Sequence, residues 1–99
     1  MNIKEMQENA DEAASLLKLI ANPSRLLVLC ALVTREHTAG ELEELVGLSQ
    51  SAVSQHLAKL RHQNMVATRR DGQKIYYSLK NPRVKQVITT MHSIYCNSL

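Results

Sequence analysis

The pair Asp71-Gly72, set between Val66-Ala67-Thr68-Arg69-Arg70 and the run Gln73 to Leu79, does most to narrow what this chain can fold into. Asp-Gly suits the two-residue turn whose backbone twist matches that of paired strands, and the flanks carry β-branched and aromatic residues. With Asp71 and Gly72 as the turn, Thr68 pairs with Ile75 and Val66 with Tyr77. That register gathers the apolar partners on one face, as a half-buried ribbon requires. The rest of the chain is helical in its period. The expected class is therefore mainly α with one β-hairpin.

Helical signals fill the remainder. From about Met6 to Ala21, Ala10, Ala13, Ala14, Leu17 and Ile20 recur at helical spacing. Asn22-Pro23 restarts the chain with an N-cap residue and a proline at the first helical position. In the following PSRLLVLCALV, the residues Leu26, Leu29, Cys30 and Val33 form the apolar stripe. Thr38-Ala39-Gly40-Glu41 fits a capping box that opens a short helix, with Leu42 and Leu45 inward and Gly47 as its stop. Ser49 caps a longer helix whose inward residues are Val53, Leu57 and Leu60. After the hairpin, Asn81-Pro82 repeats the cap-plus-proline device. Val84, Val87, Ile88, Met91 and Tyr95 line the last helix. The order is α-α-α-α-β-β-α. Glu41 to Asn64 reads as a helix-turn-helix, and the hairpin after it makes a winged one. No repeat, linker or low-complexity segment divides residues 1–99, so a single domain is expected.

A chain of 99 residues with 44% hydrophobic content, no Phe or Trp and three Tyr has a thin aliphatic core, and such domains often gain stability by dimerising. Its charge is divided by position. Every carboxylate except Asp71 lies at or before Glu44. From Ser49 onward that one acid faces Lys59, Arg61, Arg69, Arg70, Lys74, Lys80, Arg83 and Lys85. This half suits a polyanion. No stretch approaches the length of a transmembrane helix, and MNIKEMQENADEA is too polar for a signal peptide. The expected location is the cytoplasm, with no membrane partner. In a reducing compartment, Cys30 and Cys96 point to regulatory or metal-binding thiols rather than a structural disulfide.

The outer face of the longer helix narrows the polyanion. SQSAVSQHLAKLRHQN, Ser49 to Asn64, has no carboxylate, whereas ordinary exposed helices mix acids with bases. At about 100° per residue, Ser51, Ser54, Gln55 and Lys59 lie opposite Val53, Leu57 and Leu60, with Gln50 at the margin. Hydroxyls and amides can bond base edges in the major groove of B-DNA, where acids would repel the phosphates. The helix N-terminus capped by Ser49 also suits a phosphate. Arg69, Arg70 and Lys74 crowd the hairpin tip, where a wing would touch the backbone of an adjacent groove. His56, beside the inner stripe, reads as a packing residue, and His62 as solvated. A solvated helix beside a basic loop, or a protein-interaction module meeting an acidic partner, would share parts of this pattern. An enzyme is not expected, because Ser, His and Cys fall on separate faces with no positioned acid.

ANPSRLLVLCAL, GELEELVGLSQSAVSQHLAKLRHQNMV and RRDGQKIYYSL together resemble the ArsR-type winged-helix repressors over nearly the whole chain. The resemblance implies a homodimer formed largely by the first and last helices, binding an inverted-repeat operator in double-stranded DNA and released by an inducer. It carries base-contact roles to Gln50, Ser51, Ser54 and Gln55, and the wing role to the Arg69–Lys74 tip. The arsenic-sensing type of that family has a Cys-x-Cys pair where this chain reads Gly40-Glu41-Leu42-Glu43-Glu44-Leu45. The zinc-sensing type needs Asp and His on the last helix, which here offers only His92 and Cys96. LLVLCAL and IYC are similar instead to the dithiol, SqrR/BigR/HlyU-like branch. That likeness implies that Cys30 and Cys96 of one subunit lie close together when reduced and are linked by a persulfide or another oxidant inducer, directly or through extra sulfur atoms, which alters DNA affinity, with no cofactor. A soft metal or metalloid on Cys30 and Cys96, with or without His92, or unregulated DNA binding, remains the alternative. Cys30 lies in an apolar stripe, where cysteine is usually inert, whereas Cys96 lies off the stripe near the chain end and is expected to be accessible.

Overall fold

In the computed structural model, which describes residues 1–96, every helix opens at a capping side chain, four of them at the expected Asn22, Thr38, Ser49 and Asn81 and the first at Asn2. Helix α1 (Ile3–Ile20) starts at Asn2, whose Oδ1 accepts from Glu5 N at 3.1 Å. Helix α2 (Pro23–Thr34) starts at Asn22, which accepts from Arg25 N at 2.9 Å. The two helices meet at 98°. A two-residue strand, β1 (His37–Thr38), leads into α3 (Ala39–Val46). There the capping box is complete: Thr38 Oγ1 accepts from Glu41 N at 3.2 Å, and Thr38 N donates to Glu41 Oε1 at 2.9 Å. Helix α4 (Gln50–His62) follows, then β2 (Val66–Asp71), β3 (Lys74–Leu79) and α5 (Pro82–Tyr95), which Asn81 caps.

The stops are equally local. Gly47 takes the left-handed conformation, φ 68°, that ends α3, and three residues, Gly47 to Ser49, turn the chain into α4. Asn64, φ 60°, does the same for α4: Asn64 N donates to Arg61 O at 3.0 Å and Met65 N to Leu60 O at 2.9 Å. These bonds satisfy carbonyls that a helix end otherwise leaves open.

The core is aliphatic and centres on α2. Val28 and Leu29 are fully buried beside Leu42 of α3, Val53 and Leu60 of α4, and Val84 of α5. Arg25 is also buried, because its Nε donates to Leu19 O at 2.5 Å and so ties α2 to the end of α1. Among the described residues, no single helix is long and apolar enough to cross a membrane.

The structure corrects the expected inner faces at three places. Leu17, Leu45 and Tyr95 are exposed. Helix α1 starts three residues earlier than expected and buries only Leu19 and Ile20, so Ala10, Ala14 and Leu17 stand in solvent. In the eight-residue α3, Leu42 and Val46 at i, i+4 take the inner line between α2 and α4, which turns Leu45 outward. Tyr95 belongs to a last turn of α5 that runs past the core.

The hairpin register also differs. Thr68 pairs with Tyr77, Val66 with Leu79, Arg70 with Ile75 and Asp71 with Lys74. The turn is thus Gly72-Gln73, with Gly72 alone at positive φ, 64°. An Asp71-Gly72 turn of the favoured type would need positive φ at Asp71 as well, whereas the observed one needs it only at glycine. It also closes the ladder with an acid opposite a base. The shift is two residues, so every side chain keeps its face. The strand β1 was not expected. It pairs antiparallel with the middle of β3, His37 with Tyr77 and Thr38 with Tyr76, giving the sheet order β1-β3-β2.

Candidate nucleic-acid interface and thiol pair

On α4, the buried Val53, Leu57 and Leu60 anchor one side, and Gln50, Ser51, Ser54, Gln55 and Lys59 are all exposed on the other. Ser49 is less free than its neighbours. Its Oγ accepts from Ala52 N at 3.2 Å and lies 3.3 Å from Ser51 Oγ. The cap leaves Ser54 and Gln55 unengaged by protein groups among the described residues, open to an external partner. His62 is exposed at the helix end. His56 is half-buried, and desolvation, followed by the charges of Arg25 and Lys59, lowers its pKa below the ordinary histidine value.

The wing divides its three bases. Cross-strand partners share a face, so Arg69 and Tyr76 lie with Asp71 and Lys74 on one side. Arg70 and Ile75 lie with Thr68 and Tyr77 on the other. Arg70 and Lys74 are exposed and join no ion pair among the described residues. Arg69 is engaged: its Nη2 lies 2.5 Å from Glu36 Oε1 and its Nε 3.3 Å from Oε2, while its guanidinium sits 4.6 Å from the Tyr76 ring centre. The bond from Arg69 holds the Glu36 carboxyl below the usual carboxylate range, and the same bond raises Arg69.

Sequence reasoning missed the segment Arg35 to Thr38, which joins wing to helices. Beside Glu36 stands His37, buried, with neither ring nitrogen hydrogen-bonded; its Nδ1 lies 3.5 Å from Glu41 Oε1, too far for a good bond. Arg35 reaches the same carboxylate at 3.7 Å. A two-residue strand carries no readable alternation. Only the acid at Glu36, isolated between two helical patterns, could have drawn notice.

The two thiols lie on packed helices, α2 and α5. Cys30 is half-buried and Cys96, the C-cap of α5, is exposed; both are free. Burial raises the Cys30 pKa, and the nearby Cys96 raises it further. The fold therefore places the two sulfurs within electrostatic reach, which their separation in sequence does not reveal. Cys96 N donates to His92 O at 2.7 Å. Among the described residues, no three His, Cys, Asp or Glu side chains are grouped to hold a metal ion, so His92 does not complete a ligand set with the thiols.

Residues 22–68 match the family described as bacterial regulatory protein, arsR family. Over 98 residues the chain is 45% identical to the transcriptional activator HlyU of Vibrio cholerae, covering 99% of this chain and 91% of that protein. It is 38% identical over 96 residues to the biofilm growth-associated repressor of Xylella fastidiosa, covering 97% and 84% respectively. Among solved structures, reduced HlyU from Vibrio cholerae superposes with a TM-score of 0.87 at 45% identity, covering 95% of this chain and 99% of that one. The repressor BigR from Xylella fastidiosa superposes with a TM-score of 0.93 at 37% identity, covering 99% and 100%.

Proposed function

This chain belongs to the arsR family of bacterial regulatory proteins, as a DNA-binding transcriptional regulator and not an enzyme; we propose that it reads an inverted-repeat operator as a homodimer and is switched through Cys30 and Cys96. The exposed, acid-free side of α4 carries the reading: Gln50, Ser51, Ser54 and Gln55 face outward together above a buried aliphatic row. Such a ridge fits the major groove, where amides and hydroxyls bond base edges. Lys59 and the wing bases Arg70 and Lys74 then meet phosphates. Ile3, Met6 and Leu17 on α1, with Ile94 and Tyr95 on α5, are large exposed apolar side chains, and a second copy is the proposed cover for them. One fold unit, with dimerisation through α1 and α5, accounts for residues 1–96, and the remaining three of the expected 1–99 domain lie outside the described residues.

The switch uses the difference between the thiols. Cys96 is accessible and attacks first, taking the outer sulfur of a persulfide RSSH and releasing the thiol RSH. Cys30 then loses its proton and attacks the inner, Cys96 sulfur as the thiolate, forming a disulfide and expelling the outer sulfur, which takes up the proton and leaves as hydrogen sulfide. The dithiol loses two electrons and the departing sulfur gains them. The raised pKa of Cys30, set first by burial and then by Cys96, supports Cys96 as the first attacker and Cys30 as the resolving thiol. Operator titrations with and without a persulfide donor test the scheme. Cys96→Ser should keep wild-type operator affinity yet lose release by the donor; normal release in that variant would overturn the dithiol switch.

A further inference from the structure

We infer that Glu36 is a positioning residue for DNA binding, holding Arg69 as a strut that sets the angle of the wing against the helix-turn-helix. The inference rests on the operator reading above. It assigns Glu36 a role that no sequence pattern suggested, and moves Arg69 from contacting phosphate to holding the wing.

Four observations converge on this pair. The contact is two-pronged, 2.5 Å and 3.3 Å, the planar fork geometry that fixes orientation as well as distance. Arg69 is clamped on its other side by the Tyr76 ring, at 4.6 Å. Tyr76 is also the cross-strand neighbour of both Arg69 and Thr38. Glu36 immediately precedes β1, whose Thr38 caps α3, the first helix of the helix-turn-helix. One side-chain pair thus couples the hairpin to the start of the motif that positions α4. Strand β1 backs β3 only as far as Tyr76; beyond it toward the turn the wing is a two-stranded ribbon, marginal by itself in water, and the Arg69–Glu36 pair braces it where that free part begins.

The charge pattern fits the same assignment. Arg70 and Lys74 lie nearer the turn and are unpaired among the described residues, whereas the base farther from the turn has an acid as partner. An arginine poised for phosphate gains nothing from a carboxylate beside it, since the acid repels the same phosphate. A strut needs that acid.

The test compares wild type, Glu36→Gln, Arg69→Gln and the charge reversal Glu36→Arg with Arg69→Glu. In the free proteins, amide exchange over Thr68 to Ile75 should be faster in both single variants and slow again in the reversal. On operator duplex, both single variants should bind about fivefold more weakly, a loss of wing preorganisation, and the reversal should recover to within about threefold. The salt slope should be unchanged in Arg69→Gln, whereas a lost phosphate contact would lower it by about 0.9 for each wing. Tighter binding by Glu36→Gln, a shallower slope for Arg69→Gln, or no recovery in the reversal overturns the strut. If wild type binds no duplex, the operator reading fails, and the exchange data alone then decide the strut: slowed exchange in the reversal sustains it and unaltered exchange in all variants refutes it.

Discussion

Replacing Arg70 with Gln tests where the wing meets DNA. The side chain is exposed, lies opposite Ile75 one step from the ladder's closing pair, and joins no ion pair among the described residues. The substitution therefore removes a charge without breaking a packed contact. Each phosphate contact releases about 0.9 of a counterion, so a dimer that loses one contact in each wing has a slope of log K against log salt shallower by about 1.8. Between about 50 and 200 mM salt the concentration rises fourfold, and the affinity ratio of wild type to variant should shrink about 12-fold, since 4 raised to 1.8 is near 12. Anisotropy titrations over that range, on operator and on random duplex, read the effect directly. The loss should be similar on both, because phosphates carry no sequence. Wild-type affinity with an unaltered slope would place Arg70 off the DNA and refute the argument.

Two further outcomes follow from the geometry. Gln55→Ala should cost about 1–3 kcal/mol on the operator and little on random duplex if its amide makes the proposed base contact; equal losses in a paired titration would contradict a reading role. His56 has a folded pKa below its unfolded one, so the unfolded chain binds the proton more readily and stability falls as pH drops through the ordinary histidine range. Urea melts at about pH 7.5 and 5.5 should show that loss and His56→Gln should reduce it, whereas an identical pH dependence in the variant would show that His56 does not carry it.

How far the site was legible differs residue by residue. Ser51, Ser54 and Gln55 could be placed because Val53, Leu57 and Leu60 define an inner line, and a helix fixes the opposite side by its period alone. Arg69 could be assigned to the wing but not to its partner, since Glu36 is 33 positions away and no local rule links them. The thiols were open to the same limitation: Cys30 and Cys96 are distant in sequence, and only the packing of α2 on α5 places one within the field of the other. The exposure of Leu17, Leu45 and Tyr95 was misjudged because periodicity finds a stripe without saying whether this chain, or a second copy, covers it.

By itself the sequence determined where four of the five helices start and where α3 stops, that one hairpin stands among them, and which side of α4 carries no acid. Each of those rests on groups within a few residues of one another: Asn22 with Arg25, Thr38 with Glu41, Ser49 with Ala52. Tertiary structure decided the rest, namely the strand β1 on the edge of β3, the turn at Gly72-Gln73, the bond from Arg69 to Glu36 and the packing of α2, which carries Cys30, on α5, which Cys96 caps. Caps and periods act through the first turns of a helix and survive in any surroundings. A strand pairing or a distant ion pair forms only after chain entropy has been overcome by the packed core, so it is written in the whole fold and in no single stretch of it.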